Sequence, residues 1–278
     1  MPKKTIALVH PGDMGAAIGA CLVAGGHRVV WASAGRSAAT RTRAADAGLE
    51  DLTSLARAVE AAEIVLSVCP PHGALDLADA IAALEFDGLY VDANAIAPDT
   101  TREVGAIVEA AGARFVDGGI IGPPPVEAGL MRLYLCGAQA KEVAALFAGS
   151  HTKAVTLAGD IGAASALKAC YAGWNKGSIA LLAAIRTLAQ AEGVDQELLA
   201  EWNNGIPDLA KRSEAITTQS RKAWRWIAEM EEIASSFEAA NLPRGFHEAA
   251  AEIYRKLEGF KDAPQPPSMK EITARLGS

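Results

Sequence analysis

Short β-forming runs alternate with stretches rich in alanine, leucine and glutamate through the first half of this chain, and the alternation stops near Ile161. The candidate strands are residues 5–10, 28–33, 64–69, 89–93, 114–117, 133–136 and 154–158. Helix-compatible segments such as 51–62 and 100–111 lie between most of them. Parallel neighbours in a sheet need a long crossover, usually a helix, so this pattern predicts right-handed βαβ units. The expected fold class is α/β: a doubly wound, mostly parallel sheet with helices on both faces, followed by an all-helical C-terminal part. The boundary is expected at residues 160/161, giving domains 1–160 and 161–278, joined through the long helix that carries Lys168.

Composition removes several classes of function. Half of the 278 residues are hydrophobic, enough for a substantial core. The formal net charge of -7 argues against nucleic acid as the main partner, because phosphate backbones require clustered cations. Cys21, Cys69, Cys136 and Cys170 show no CxxC spacing, and His10, His27, His72, His151 and His247 form no ligand cluster with them. Neither a disulfide framework nor a metal site is expected. The N-terminus reads as a first strand running into a glycine turn and not as a signal peptide, and no apolar run is long enough to span a bilayer. The expected location is the cytoplasm.

The first chemical motif is the turn His10-Pro11-Gly12-Asp13-Met14, continuing to Gly19, directly after the first strand. Glycines at such a strand-to-helix junction let backbone approach a pyrophosphate at the helix N-terminus, as in Rossmann-type dinucleotide domains. His10 stands at the first glycine position, while Gly12 and Gly15 fill the others. After the second strand the sequence WASAGRSAATRTR contains no acidic residue between Trp31 and Arg43. Ser33, Arg36, Ser37 and Arg41 offer hydroxyls and positive charge to an adenosine 2′-phosphate, which favours NADP over NAD. Arg43 reads better as a solvated helix residue. Turns at later strand ends should frame the nicotinamide: Cys69, Pro70 and Pro71 in one, Asn94 in another, with Asp92 and Asp117 as capping or turn residues.

The stretch from Gly159 to Gly177 opens a long alanine-rich helix and carries Lys168 among small apolar neighbours. A lysine enclosed by Ala164, Ala166, Ala169 and Ala172 would release its proton more readily, which suits a general acid. Further along, Ile179, Leu182, Ile185 and Leu188 read as a packing stripe, and Ala172, Gly173 and Gly177 as a site of close helix contact. Trp224 and Trp226, interleaved with cations, read either as cleft-lining residues or as a packed helix surface. His247 is a candidate substrate ligand or second acid.

Taken in order, these motifs resemble the β-hydroxyacid dehydrogenase family, which includes 3-hydroxyisobutyrate dehydrogenases and is related to 6-phosphogluconate dehydrogenase. HPGDMG is similar to its cofactor turn, residues 116–137 to its substrate turn and following strand, and GDIGAASALK to the segment that ends in its catalytic lysine. Residues 241–257 are similar to a bacterial subgroup with its own helical C-terminal domain. The resemblance implies that Lys168 is the catalytic acid and that the protein is a homodimer with interlocking helical domains. It also locates departures. Ile121, Gly122 and Pro123 stand where the family has a Ser-Gly-Gly carboxylate clamp, Ala172 replaces its asparagine, and the second lysine falls near Ala228 or Glu229. Tyr171 and Asn175 are the remaining polar candidates beside Lys168; Trp226 and His247 are candidates for substrate contact.

The resulting expectation is an NADP-dependent oxidoreductase. Hydride would move between the nicotinamide and a carbonyl or hydroxyl carbon of a small substrate that is not a simple carboxylate, with Lys168 as general acid or base. An imine reductase is the nearer alternative, and a non-catalytic NADP-binding regulator the more distant one.

Overall fold

The computed structural model describes residues 2–278. The chain forms two compact units, 1–169 and 170–278, and the division falls within one helix, one residue after Lys168. Each unit has its own architecture.

The first unit alternates as β1 (Thr5–Val9), α1 (Asp13–Ala24), β2 (Arg28–Trp31), α2 (Ala38–Asp46), β3 (Glu50–Asp51), α3 (Leu55–Glu60), β4 (Ile64–Ser67), α4 (Ala74–Ala82), β5 (Leu89–Asp92), α5 (Pro98–Ala110), β6 (Arg114–Ile121), β7 (Met131–Cys136), α6 (Ala140–Leu146) and β8 (Thr152–Thr156). Among the described residues one eight-stranded sheet forms, in the order β3-β2-β1-β4-β5-β6-β7-β8. All neighbours run parallel except β6 and β7. The sheet is buried on both sides, and strand parity sorts its residues. Ile6, Leu8, Ile64, Leu66, Leu89 and Val91 enter one core, while Ala7, Val9, Val65 and Tyr90 enter the other.

The strand pattern departs from the sequence expectation in two places. β3 is two exposed polar residues, Glu50 and Asp51, paired with Val30 and Trp31 at the sheet edge, too short and too polar to register as a periodic run. β6 continues past Asp117 through Gly118-Gly119 to Ile121. The glycine pair interrupts the apolar pattern but not the ladder, because strand pairing uses backbone groups alone. A Cβ on Gly119 would lie 2.4 Å from the Ala164 carbonyl oxygen and 3.3 Å from Lys168 Cβ. Glycine is therefore what lets the following helix sit directly on β6.

That helix is α7 (Ala163–Ala191), 29 residues long, or roughly 43 Å at 1.5 Å per residue. The rest of the second unit is helical: α8 (Asp195–Gly205), α9 (Pro207–Ser213), α10 (Ala215–Ala223), α11 (Trp226–Ala239), α12 (Gly245–Lys256) and α13 (Met269–Leu276). Buried Arg186 of α7 ties three elements together, with a two-pronged contact to Asp195 at 2.5 and 2.9 Å and further bonds to Ser213 and Glu214. The expected close contact at Gly173 and Gly177 is present. His247 of α12 sits over both, and a Cβ at either would approach its ring to 3.1 or 3.4 Å.

The expected packing stripe on α7 holds only in part. Ile179 and Leu182 are buried, but Leu188 is 63% exposed. A strict spacing of three falls behind the 3.6-residue turn by about 60° per step, so the third step carries Leu188 to the opposite side from Ile179. A different set faces outward instead: Trp174, Leu181 and Leu188, at intervals of seven, are 68%, 61% and 63% exposed. No helix among the described residues is long and apolar enough to cross a membrane.

Candidate active site

The sheet order reverses direction between β1 and β4, and the turns at the carboxyl ends of β2, β1, β4 and β5 converge there. After β1, Gly12 N–H donates to the His10 carbonyl at 2.8 Å and closes the turn. A side chain at Gly15 would meet that same carbonyl oxygen at 2.6 Å, whereas at Gly12 there is open space. His10 adopts the left-handed region at φ 66, where glycine is favoured, and its Nδ1 is buried without a hydrogen-bond partner. Burial, then the nearby Arg36 and His72, push its pKa down to about 4. An open cradle beside Gly12 at a helix N-terminus, next to an unpartnered imidazole nitrogen, fits an anionic dinucleotide. Pro11 and Met14 serve the fold: Pro11 is buried and Met14 packs against the core. Asp13 forms an ion pair with Arg43 at 3.0 Å. Arg43, whose side chain is 34% exposed, thus meets solvent and also ties α2 to the glycine turn.

At the end of β2, Ser33 is buried and bonded to Asp51, while Ser37 caps α2 by accepting from Thr40 N–H at 3.2 Å. Arg41 reaches the Ser33 carbonyl at 3.4 Å. Asp51 is the acid that linear reading overlooks, because β3 brings it beside β2 from eighteen residues further along than Ser33. Slight burial works against its ionisation, but bonds from Ser33 and Thr53 and the Arg41 charge hold its pKa below the ordinary value.

After β4, the Cys69 thiol is buried and pushed up to about 12, chiefly by desolvation, so it is an apolar wall and not a thiolate. Pro70 is exposed, and Pro71 opens a single 3₁₀ turn leading into α4. Asn94 does not point outward as a cofactor ligand. Its Oδ1 accepts from Cys69 N–H at 2.6 Å, and its Nδ2 donates to Asp92 at 2.7 Å and to Ser67 at 2.9 Å. It positions the Cys69 turn. Asp92 is fully buried, which raises its pKa to about 7 against the bonds from Asn94, with Asp117 adding to the rise.

Asp117 organises the catalytic candidate. Its carboxylate accepts from the N–H groups of Gly162, Ala164 and Ser165 and from the Ser165 hydroxyl at 2.7 Å, satisfying the otherwise orphaned donors at the start of α7. Ser165 also accepts from Thr101 at 2.8 Å. Burial raises the Asp117 pKa, against these four bonds. Lys168 lies on the second turn of the helix so anchored, its stem over Gly119. It is half-buried, not enclosed, because Leu167 and Cys170 on either side are exposed.

The remaining candidates are distributed differently from expectation. Ile121 is no turn residue: it closes β6, buried and paired with Arg132. The turn begins at Gly122, with φ 115, and Pro123 is exposed. In the helical unit Tyr171 is exposed, and Asn175 accepts a long bond from Arg212 at 3.5 Å. Trp226 packs edge-on to Tyr254 and beneath Lys176, and Trp224 lies under Lys261, so both tryptophans meet the protein's own residues. Glu229, at the position near which the family's second lysine falls, is buried and paired with Lys176. His247 is buried against Phe237 and borders an open apolar groove of about 750 Å³ with Trp174, Leu181 and Phe246. Burial lowers its pKa.

Solved structures share this architecture. A conserved protein of unknown function, MTH1747, described as similar to 3-hydroxyacid dehydrogenases, matches with 25% identity and a TM-score of 0.69 over 92% of this chain and 97% of its own. The 3-hydroxyisobutyrate dehydrogenase of Mycobacterium tuberculosis, solved with L-serine, matches over 100% of both chains at 20% identity and TM-score 0.72. A reductive aminase from Aspergillus terreus, solved with NADPH and ethyl levulinate, matches over 98% of this chain and 99% of its own at 15% identity and TM-score 0.58. The latter two likenesses speak for the fold alone. No curated protein matches. In the helical unit a domain of unknown function, DUF1932, matches residues 189–257. The family described as the NAD binding domain of 6-phosphogluconate dehydrogenase matches residues 5–156, in which the glycine turn, the β2 end and the β4 turn all lie, and the chain belongs to that family.

Proposed function

We propose that this chain is an NADP-dependent reductase acting on a C=O or C=N carbon of a small substrate other than a simple carboxylate, with Lys168 as its general acid. The observation that carries the reading is the anchoring of Lys168. Asp117 fixes the first turn of α7, and Gly119 leaves room for the lysine stem on β6. When bound, the nicotinamide supplies or accepts the hydride. Lys168 holds a proton at the substrate oxygen or nitrogen as negative charge develops there. The preference for NADP rests on Arg41 and the helix N-terminus capped by Ser37 at the end of β2.

The loss of the carboxylate clamp supports an uncharged substrate. Ile121 is buried in its strand and has no side-chain donor, and Pro123 has no N–H. The same loss favours an imine over a hydroxyacid as a second reading, and parallel assays of ketones and imines with NADPH separate the two. The helical part, expected from about residue 161 onward, would serve as a substrate-binding and dimerisation domain, and the outward row of Trp174, Leu181 and Leu188 supports a homodimer.

The central test is Lys168→Ala, with cofactor binding and turnover measured separately. NADPH binding should persist while turnover falls on the order of a hundredfold or more. Unchanged turnover in a folded, cofactor-binding variant would remove the lysine from the mechanism.

A further inference from the structure

The turn after β4 hangs on a single backbone donor. In the sequence Cys69-Pro70-Pro71 the two prolines have a fixed φ and no N–H, so Cys69 carries the only amide hydrogen of the three. Asn94, just past β5, takes that hydrogen on Oδ1 at 2.6 Å. On the other side Val68 N–H donates to the Val9 carbonyl of β1 at 3.3 Å. The turn is therefore stiff, and its height above the sheet follows from how Asn94 is held. A side-chain amide can present its oxygen or its NH₂, and two neighbours decide which. Nδ2 donates to Asp92 at 2.7 Å and to the Ser67 hydroxyl at 2.9 Å, so the oxygen has to face Cys69. Asp92 also accepts the Asn94 backbone N–H at 2.9 Å. Ser67 and Asp92 are register partners on β4 and β5 and both are fully buried, while Asn94 is 3% exposed. Burying such a cluster carries a desolvation cost that apolar side chains would avoid, and with its members bonded to one another it fixes one geometry. The next carboxylate in register, Asp117 on β6, turns instead to the start of α7. Adjacent carboxylates thus hold two different things: Asp92 the turn after β4, Asp117 the helix of Lys168.

We infer, on the nicotinamide-cofactor reading of the first unit, that Asn94, oriented by Asp92 and Ser67, is a positioning residue that sets the Cys69-Pro70-Pro71 turn against the nicotinamide end of the cofactor. On that reading the adenosine lies at the end of β2 and the pyrophosphate at the glycine turn after β1. The remaining half of a dinucleotide then extends towards the ends of β4 and β5. Pro70 is exposed and the Cys69 side chain is buried, so the turn offers a rigid, uncharged wall suited to a flat ring. Hydride transfer tolerates little error in the placing of that ring. Asn94 controls the placing without touching the ring, through the one amide that ties the wall to the sheet.

Calorimetry with NADP+ and with 2′-phospho-ADP-ribose, the same molecule without its nicotinamide, tests this role, because the ratio of the two dissociation constants isolates the nicotinamide end. The native protein should favour NADP+. Asn94→Ala should reduce that preference about fivefold or more, while 2′-phospho-ADP-ribose still binds within about twofold of the native affinity. Ser67→Ala removes a smaller part of the cluster and leaves Asn94 bonded to Asp92. It should act in the same direction by a smaller factor, and it decides the matter should Asn94→Ala not fold. Equal loss for the two ligands, or no loss for either, would show that the cluster only stabilises the fold and would overturn the positioning role. A native protein that binds both ligands equally overturns it as well, with the cofactor reading intact. A native protein that binds neither overturns the cofactor reading itself.

Discussion

The Asp117 carboxylate accepts the Ser165 hydroxyl at 2.7 Å and, from the same position, the N–H groups of Gly162 and Ala164 at 2.9 Å each. A side chain in the middle of a strand therefore caps the helix that bears the proposed acid. The cap lies 45 residues away in sequence from the first donor it satisfies. A carboxylate at a helix N-terminus also meets the positive end of the helix dipole, so cap and charge act in one direction.

Removing that cap should loosen the start of α7 before it affects nucleotide binding. Asp117→Ala leaves several buried donors without an acceptor, at about 1–3 kcal/mol. Gly119→Ala presses a methyl group against the Ala164 carbonyl, and over-packing of this kind costs about 1–3 kcal/mol. Both variants should show a lowered urea midpoint and reduced turnover, with NADPH affinity within about threefold of the native protein at temperatures where each is folded. If NADPH affinity falls as far as turnover does, Asp117 and Gly119 support the whole sheet and not the helix start in particular.

Cofactor choice can be probed through a pair of opposite charges. Arg41 and Asp51 both border Ser33, one donating to its carbonyl and the other bonded to it. If a 2′-phosphate lies there, Arg41→Ala should weaken NADPH binding about tenfold with little effect on NADH. Asp51→Asn should strengthen NADPH relative to NADH by removing a like charge. Parallel titrations with both nucleotides decide the matter, and equal changes for the two would refute the NADP preference.

What the chain revealed before folding divides along physical lines. The alternation of strand and helix, the glycine turn and the Lys168 helix are local patterns, and local patterns survive in sequence. Relationships between distant segments do not. Asp117 reads as a strand-end residue until Gly162 to Ser165 are brought to it, and Asp51 is invisible to a search confined to the residues after β2. Arg43 reads as solvent-facing alone until Asp13 is placed 3.0 Å from it. Ile121 reads as a turn residue because Gly118-Gly119 breaks the strand pattern for a reason that lies in α7. Leu188 fails for a different cause, since a spacing of three is only an approximation to the helix period.

Asp92 should make stability fall as pH rises. Its folded pKa of about 7 exceeds the ordinary carboxylate value, so the folded state holds a proton that the unfolded chain releases near pH 4. The contribution is fully present below about pH 4 and is lost progressively as pH climbs through 7. Chemical denaturation between about pH 5 and pH 8 should show this decline, and Asp92→Asn should flatten it. Asp117 contributes in the same direction, its pKa also being raised by burial. A variant with the slope of the native protein would show that Asp92 titrates normally.

The outward row on α7 makes the last prediction, which concerns assembly. Trp174, Leu181 and Leu188 recur every seven residues, the interval at which a helix returns to nearly the same face, and all three are more than half exposed. Three large exposed apolar side chains in line on one helix are of the kind that marks an interface. A second copy of this chain is the occupant expected if the helical unit dimerises. Leu181→Glu puts a charge at the centre of the row, where burial against an identical face would bring two carboxylates together and desolvate both. Since Leu181 is 61% exposed, the change should leave the fold of a single chain nearly unaffected. Sedimentation velocity should then show a dimer for the native protein and a concentration-dependent shift to monomer for the variant, with unchanged circular dichroism. A native protein that sediments as a monomer throughout the micromolar range would rule out the assembly, and a variant that remains dimeric would move the interface elsewhere on the helical unit.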